Sequence, residues 1–391
     1  MEARSSPYAP GAGHPPPELA GRDDLIERAA VALDRIRAGR SARSLLLYGL
    51  RGVGKTVLLQ RIAADAEARG IAVAAIEAPE GRSLPALLAP ALRATLLRLD
   101  RGSLKAGVGK AMRALGNFVR SVKIKYKDVE IGVEPDPASG VADSGDLELD
   151  LIDLFVEVGN AARERKTAVV LSIDELQYVP EEQFAALIAA LHQVAQRQLP
   201  IAVVGAGLPN LLGQAGRAKS YAERLFEFVP VDRLDETAAT RALVRPAGAE
   251  GVKFTKAAVA EILRQTSGYP YFLQEWGKHA WAHAKASPIA ESDAKAATVS
   301  ALAELDASFF RVRFDRLTSG EKRFLRAMAE LGPGPHRSGD VAKQLGKGVT
   351  TVAPMRSSLI QKGMIHSPAH GENAFTVPLF DGFMKRIMPE L

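Results

Sequence analysis

Short unbroken apolar runs alternate along the chain with longer segments whose apolar positions recur every three or four residues. The runs are "SLLLY" (44–48), "IAVAAIEA" (71–78), "TAVVLSI" (167–173), "IAVVGAG" (201–207) and "LFEFVPV" (225–231). A run without polar alternation belongs to a strand covered on both faces. Helical patterns lie between the runs at 55–68, 83–118, 148–164 and 181–197, and "DDLIERAAVALDRIRAG" sets Leu25, Ala29, Val31, Leu33 and Ile36 on one side of a leading helix. This alternation predicts an α/β fold, a three-layer parallel sheet. By contrast "FVRSVKIKYKDVEIGVE" (118–134) alternates like a β-ribbon insert, and the acidic segment "PDPASGVADSGD" after it is expected as a mobile loop over 135–147.

From Asp235 the strand signal stops. Helices are expected near 236–246, 255–266, 270–285 and 293–314, with Asp235, Thr255 and Ser292 as N-caps. Thr318 and Glu321 form a capping-box pattern ahead of "KRFLRAMAEL". Short helices near 338–345 and 351–363, then a hairpin in "MIHSPAHGENAFTV", complete the outline of a winged helix. The N-terminal "MEARSSPYAPGAGHPPPELAG" is a flexible Pro/Ala/Gly tail by composition and has no apolar core of a secretory signal. The expected division is a disordered tail (1–18), an α/β core (19–233), a helical domain (234–315) and a winged-helix domain (316–391).

Composition narrows the chemistry. The 391 residues contain no cysteine, which excludes disulfides, zinc–thiolate sites and thiol nucleophiles. Apolar content of 47% and charged content of 25% are those of a folded globular protein. Apolar runs such as 184–191 are far short of a membrane span, so a cytoplasmic location without membrane contact is the default expectation. The net charge of +6 permits a polyanionic partner without demanding one.

One stretch does demand a ligand. Gly49-Leu50-Arg51-Gly52-Val53-Gly54-Lys55-Thr56 fits G-x-x-x-x-G-K-[ST] between a buried strand and a helix. Such glycines turn backbone N–H groups inward to make an anion nest at a helix N-terminus. Lys55 is then placed for the β and γ phosphates, and the Thr56 hydroxyl for Mg²⁺. "GVGKA" (107–111) and "GKGVTT" (346–351) lack the preceding strand, and Gly205-Ala206-Gly207 is spoiled as a dinucleotide fingerprint by Pro209 and Asn210. Asp174 and Glu175 end the strand "AVVLSIDELQ". The first is suited to the metal's water shell, the second to polarising a water for attack on the γ-phosphate. No N-K-x-D stretch exists, which argues against guanine specificity.

These residues resemble the AAA+ and STAND branches of P-loop ATPases, especially the origin-recognition-like and archaeal-type ATPases, over about residues 19–391. "LAGRDDLIERAAVAL" is similar to the opening motif, with Gly21-Arg22 before the helix near the adenine. The resemblance implies ATP or ADP with Mg²⁺, contacted by Gly49 through Val57, with Thr56 and Asp174 toward the metal. "IAVVGAGLPNL" occupies the sensor strand without its usual polar residue, for which Asn210 is a weak substitute. Arg224, before the fifth strand, corresponds to a γ-phosphate or intersubunit arginine, or else is a surface arginine paired with Glu223 or Glu227. "SGYPYF" resembles the STAND Gly-x-Pro motif through Gly268 and Pro270, with Tyr271 where many lids carry an arginine. In the winged helix, Arg356, Lys362, His366 and His370 are the residues available to double-stranded DNA; docking of a protein is the alternative. The resemblance leaves two functions: an ATP-hydrolysing switch coupled to a DNA-binding module, or a slow nucleotide-regulated scaffold. The scaffold would assemble with itself or a protein partner, partly through Lys123, Lys125, Tyr126 and Lys127.

Overall fold

The five apolar runs become five strands, each flanked by the helices their periodicity announces. The computed structural model describes residues 1–391 except 12, 101–105, 124–139 and 391. It divides into two bodies, Asp23–Tyr48 with Lys55–Pro230, and Met1–Arg22 with Gly49–Gly54 and Val231–Leu391.

The first body contains α1 (Asp23–Arg37), β1 (Ser44–Tyr48), α2 (Lys55–Ala68), β2 (Ala72–Glu77), α3 (Leu84–Leu99), α4 (Ala106–Lys123), α5 (Leu147–Glu164) and β3 (Val169–Asp174). It continues through α6 (Glu181–Gln196), β4 (Ile201–Gly207), α7 (Leu211–Ala218), α8 (Ala222–Leu225) and β5 (Phe226–Pro230). All strands are parallel, in the order β2-β3-β4-β1-β5. Leu46, Ala74, Leu171 and Val203 of the sheet join Leu92, Leu115, Leu154 and Leu187 of the helices in one core. β4 lies between β1 and β3, and a Cβ at Gly205 would stand 2.7 Å from Leu46 Cδ2 and 2.9 Å from Leu176 Cδ2.

Two expectations for this body need correction. Phe118–Lys123 are not the start of a β-ribbon but the last turns of α4. Ala111, Leu115, Phe118 and Val122 are buried at helical spacing, and burial of that stripe outweighs the local alternation. The rest of the expected ribbon, with Lys125, Tyr126 and Lys127, and the loop residues 135–139 lie outside the described residues. Residues 140–146 are pinned, because the fully buried Asp150 carboxylate accepts from Ser144 N (2.7 Å), Ser144 Oγ (2.7 Å) and Gly145 N (3.2 Å).

The second body contains α9 (Glu236–Ala249), α10 (Lys256–Thr266), α11 (Pro270–His283), α12 (Glu291–Leu305), α13 (Arg311–Asp315) and α14 (Ser319–Glu330). Then come β6 (His336–Arg337), α15 (Ser338–Gln344), α16 (Val349–Gln361), β7 (Ile365–His366), β8 (Glu372–Phe375) and α17 (Phe380–Ile387). The three short strands form an antiparallel sheet in the order β6-β8-β7. Asp235, Thr255 and Thr318 cap their helices as expected. Ser292 does not: α12 starts at Glu291, two residues earlier than expected, and the Asp293 carboxylate takes the Ala290 N–H at 2.8 Å. The expected boundary at 315/316 falls inside one core, where the Phe310 ring meets Phe380 at 5.7 Å and Phe383 at 5.3 Å.

The N-terminal segment is also ordered in this body rather than a disordered tail. Tyr8 is buried and its hydroxyl donates to the Leu243 carbonyl, while Trp281 Nε1 donates to Glu2 O at 3.0 Å. Gly277 leaves room for the Tyr8 ring, which a Cβ there would meet at 2.6 Å. A terminus stays ordered when it is tied down, and the buried Tyr8 ring with the bonds to Leu243 O and from Trp281 Nε1 ties this one down.

The central strand supplies a stability test. Gly205→Val inserts a branched side chain where even a Cβ is too close to two leucines, and should destabilise the first body by about 1–3 kcal/mol. Urea unfolding followed by far-UV circular dichroism would show it; an unchanged midpoint would mean that β4 is packed otherwise.

Candidate functional site

In the first body, the parallel order brings the end of β3 and the start of α2 to one edge of the sheet. Lys55, Thr56 and Val57 open α2 and are partly exposed. Asp174, the last residue of β3, accepts a hydrogen bond from the Thr56 hydroxyl and one from the Glu175 N–H at 2.8 Å. Burial raises the Asp174 pKa; the bonds from Thr56 and Glu175 N–H and the charge of Lys55 oppose that shift, and the Glu175 charge adds to it. Glu175 itself has a left-handed backbone, φ 52°. Such a conformation in a non-glycine residue is costly, and here it re-aims the side chain as the strand ends.

Sequence reasoning missed Gln177. Its Nε2 donates to Glu175 Oε2, and its Oε1 accepts the Leu208 N–H at 3.0 Å. It thus fixes the Glu175 carboxylate against the end of β4. Gly207 makes space for it, since a Cβ there would lie 2.7 Å from Gln177 Oε1. The signal was present as a glycine beside a strand end, but a glycine does not name its neighbour. Asn210, just beyond β4, keeps a buried Oδ1 without a hydrogen-bond partner.

The loop Gly49–Gly54 belongs to the second body, and its three glycines have three different reasons. A Cβ at Gly49 would fall 2.0 Å from the Val231 carbonyl oxygen, so Gly49 serves a close backbone approach. Gly52 has φ +82° and its Cβ would meet Tyr271 Cβ at 3.2 Å. Gly54 has φ +89° and its Cβ would enter open space. Of the three, only Gly54 leaves open space where a side chain would stand. Leu50 is partly buried and Val53 fully so.

Three backbone groups of this loop are held by the rest of the second body. Tyr271 N–H donates to Gly52 O at 3.1 Å, and Arg51 N–H donates to Thr376 O at 3.0 Å. Arg22, buried, donates through Nη2 to Val53 O at 3.2 Å and to the Asp232 carbonyl. Gly268 and Pro270 set up the first of these bonds. Gly268, at φ +75°, packs where a Cβ would lie 2.4 Å from Leu234 O, and Pro270 opens α11 so that Tyr271 presents its N–H to the loop.

The remaining expected residues are not brought to these groups. Arg224 is exposed in the single turn of α8, and Glu227 pairs with Arg28 at 3.2 Å instead. Arg356 is spent inside its own module, donating to Asn373 Oδ1 (2.6 Å), Ser367 Oγ (2.9 Å) and Glu372 O (3.2 Å). Lys362 is spent on Glu321, at 2.9 and 2.7 Å from its two oxygens. His366 is half-buried, with its pKa lowered by burial, and His370 is exposed at the tip between β7 and β8. Along the chain alone both cations look free; the groups on which α16 packs are what engage them.

A parallel sheet in the order β2-β3-β4-β1-β5, a glycine loop after its fourth strand and an acid pair after its second define the P-loop NTPase fold of the AAA+ type. Residues 18–204 match the AAA ATPase domain family, and residues 307–384 match a domain family of unknown function. Among solved structures, a Walker-type ATPase of Pyrococcus abyssi is similar at 15% identity with a TM-score of 0.54, over 94% of this chain and 96% of that one. The ORC2 protein of Aeropyrum pernix, solved as ADPNP-ADP complexes, is similar at 15% identity with a TM-score of 0.52, over 97% of this chain and 98% of that one. The chain has the fold of the origin-recognition-like AAA+ ATPases. No curated protein sequence matches it. Among the described residues no helix is long and apolar enough to cross a membrane.

The Lys362–Glu321 pair has a pH signature. Burial works to raise the Glu321 pKa, but the bonds from Lys362, Ser358 and Thr318 outweigh it and hold the carboxyl at about 2 against an ordinary 4.5. A depressed folded-state pKa contributes stability that is full above 4.5 and lost as pH falls toward about 2. Glu321→Gln should flatten the acid limb of stability across that window. An acid limb as steep as the parent's would mean that the pair is not formed in solution.

Proposed function

We propose that the protein is an ATP-binding and ATP-hydrolysing switch. The observation that carries this reading is the hydrogen bond between Thr56 and Asp174, which joins the residue after the glycine loop to the end of β3. In this reading Gly49 through Val57 surround the triphosphate with backbone N–H groups, and Lys55 faces the β and γ phosphates. The oxygen donors of Thr56 and Asp174 fit Mg²⁺, a hard cation that prefers oxygen ligands. Bound there, Mg²⁺ supplies charge neutralisation at the phosphates. Glu175, steadied by Gln177, orients and polarises the attacking water, and the orphaned Asn210 amide stands as the polar group after β4.

The switch reading rests on the loop's partners. Gly52 and Arg51 are bonded to the first turn of α11 and to the strand end at Thr376, so a change of loop conformation must break or re-form bonds to the lid and to the C-terminal module. Residues 316–391, with helices α14 to α16 and a three-stranded antiparallel sheet, are read as the winged helix.

For that module, docking of a protein is favoured over duplex DNA. Arg356 and Lys362 are committed internally, and the exposed face of α16 carries Val349, Thr350, Thr351, Ala353, Pro354 and Ser357, with no charge among them. DNA affinity is dominated by cations meeting phosphates.

Lys55→Ala should abolish binding of a fluorescent ATP analogue, whereas Glu175→Gln should bind it and lose turnover by ~10²–10⁴-fold. Parental phosphate release by both variants would sink the ATPase reading. Titration with duplex DNA at low salt should leave the DNA unretarded in a gel; retardation that weakens steeply with added salt would instead restore the nucleic-acid reading of the module.

A further inference from the structure

We propose that Glu275, His279 and Glu304 form a binding site for a divalent transition-metal cation, Zn²⁺ by preference, within the helical lid. Glu275 and His279 lie four residues apart on α11 and so share one face, and α12 brings Glu304 to the same point. One ligating atom from each residue lies within 4.8 Å of the other two.

Among the ion pairs of this cluster one buried donor atom is left over. Glu275 is only 4% exposed, and its buried Oε2 has no hydrogen-bond partner. Its closest cation, Lys278 Nζ, stands 3.9 Å away. His279 Nε2 lies 3.0 Å from Glu304 Oε2, an ion pair when the ring is protonated, and a neutral ring would leave both atoms as donors to a metal. The remaining carboxylate oxygens are already anchored, Glu275 Oε1 by the Tyr271 hydroxyl at 2.9 Å and Glu304 Oε1 by Lys278 Nζ at 2.6 Å. Each acid therefore has one oxygen held from outside and one turned inward, the arrangement that orients metal ligands. Two carboxylates against the single charge of Lys278 leave the cluster net negative.

One imidazole and two carboxylates suit Zn²⁺, with a fourth position open to water. Mg²⁺ disfavours the imidazole, which separates this site chemically from Thr56 and Asp174. Access is by a cleft lined by Ser6, Tyr8, Pro10, Lys278, His279 and Ala282. The bound cation would cross-link α11 to α12 directly behind Tyr271, whose N–H holds the Gly52 carbonyl.

Isothermal titration of the chelator-stripped full chain with Zn²⁺ alone tests the proposal. One ion per chain is expected, with affinity at least ~10-fold weaker in His279→Gln and in Glu304→Gln. The nearby His283→Gln should bind as the parent does, and equal unfolding midpoints without zinc would show that all variants are folded. X-ray absorption at the zinc edge should report an oxygen-and-nitrogen shell with one imidazole. Absence of stoichiometric binding, or equal binding by His279→Gln and the parent, would overturn the site and leave a protonated His279 paired with Glu304.

Discussion

The Thr56 hydroxyl bonded to the Asp174 carboxylate ties the start of α2 to the end of β3, and it is a consequence of strand direction. Every strand of the sheet runs the same way, so the chain leaving β1 and the last residue of β3 emerge at one edge. The geometry has an electrostatic cost. Asp174 is pulled from water beside a second acid, and the raised pKa records that its charged form is under-compensated by Thr56, the Glu175 N–H and Lys55. A strand end that holds an acid in this condition is one that a cation would stabilise.

The loop ahead of Lys55 shows the complementary economy. Gly49 is required by a carbonyl and Gly52 by a tyrosine, leaving Gly54 as the position where missing side-chain volume faces open space. Two glycines of the motif thus serve close packing of the turn against its neighbours, and the third leaves its side-chain position open. Arg22, from before the first helix, then fixes the Val53 carbonyl by reaching across to Asp232.

The strands, the acid pair and the helix starts were legible because each is written locally, in an apolar run, a G-K-T triplet, or a capping residue ahead of a helical stripe. α2 begins at Lys55 and ends at Ala68, the span its periodicity gives. The features that were not legible depend on partners distant in sequence. Gln177 acquires its meaning from Leu208 N–H and Glu175 together, Asp150 from a loop six residues upstream and a serine in α4, and Tyr8 from Leu243. Alternation at 118–123 misled for the same reason, since the helix face there is chosen by the core of the first body rather than by neighbours in the chain.

Charge is where the distant partners change the functional reading most. A net +6 is a property of the whole surface, whereas recognition of a polyanion requires cations that are unspent and gathered. In α16 the one arginine, and just beyond it the lysine, close the module upon itself: Arg356 ties the helix to β8, and Lys362 neutralises a carboxylate that is buried at the start of α14. Freeing either cation for phosphate would leave an unpaired acceptor or a buried charge behind, a loss of several kcal/mol that a surface contact does not return. The helix therefore offers its surroundings a face of threonine, valine, alanine and proline. Such a face is suited to shape and apolar contact, and the loop-to-module bond at Thr376 O puts that face on the same covalent and hydrogen-bonded unit as Arg51.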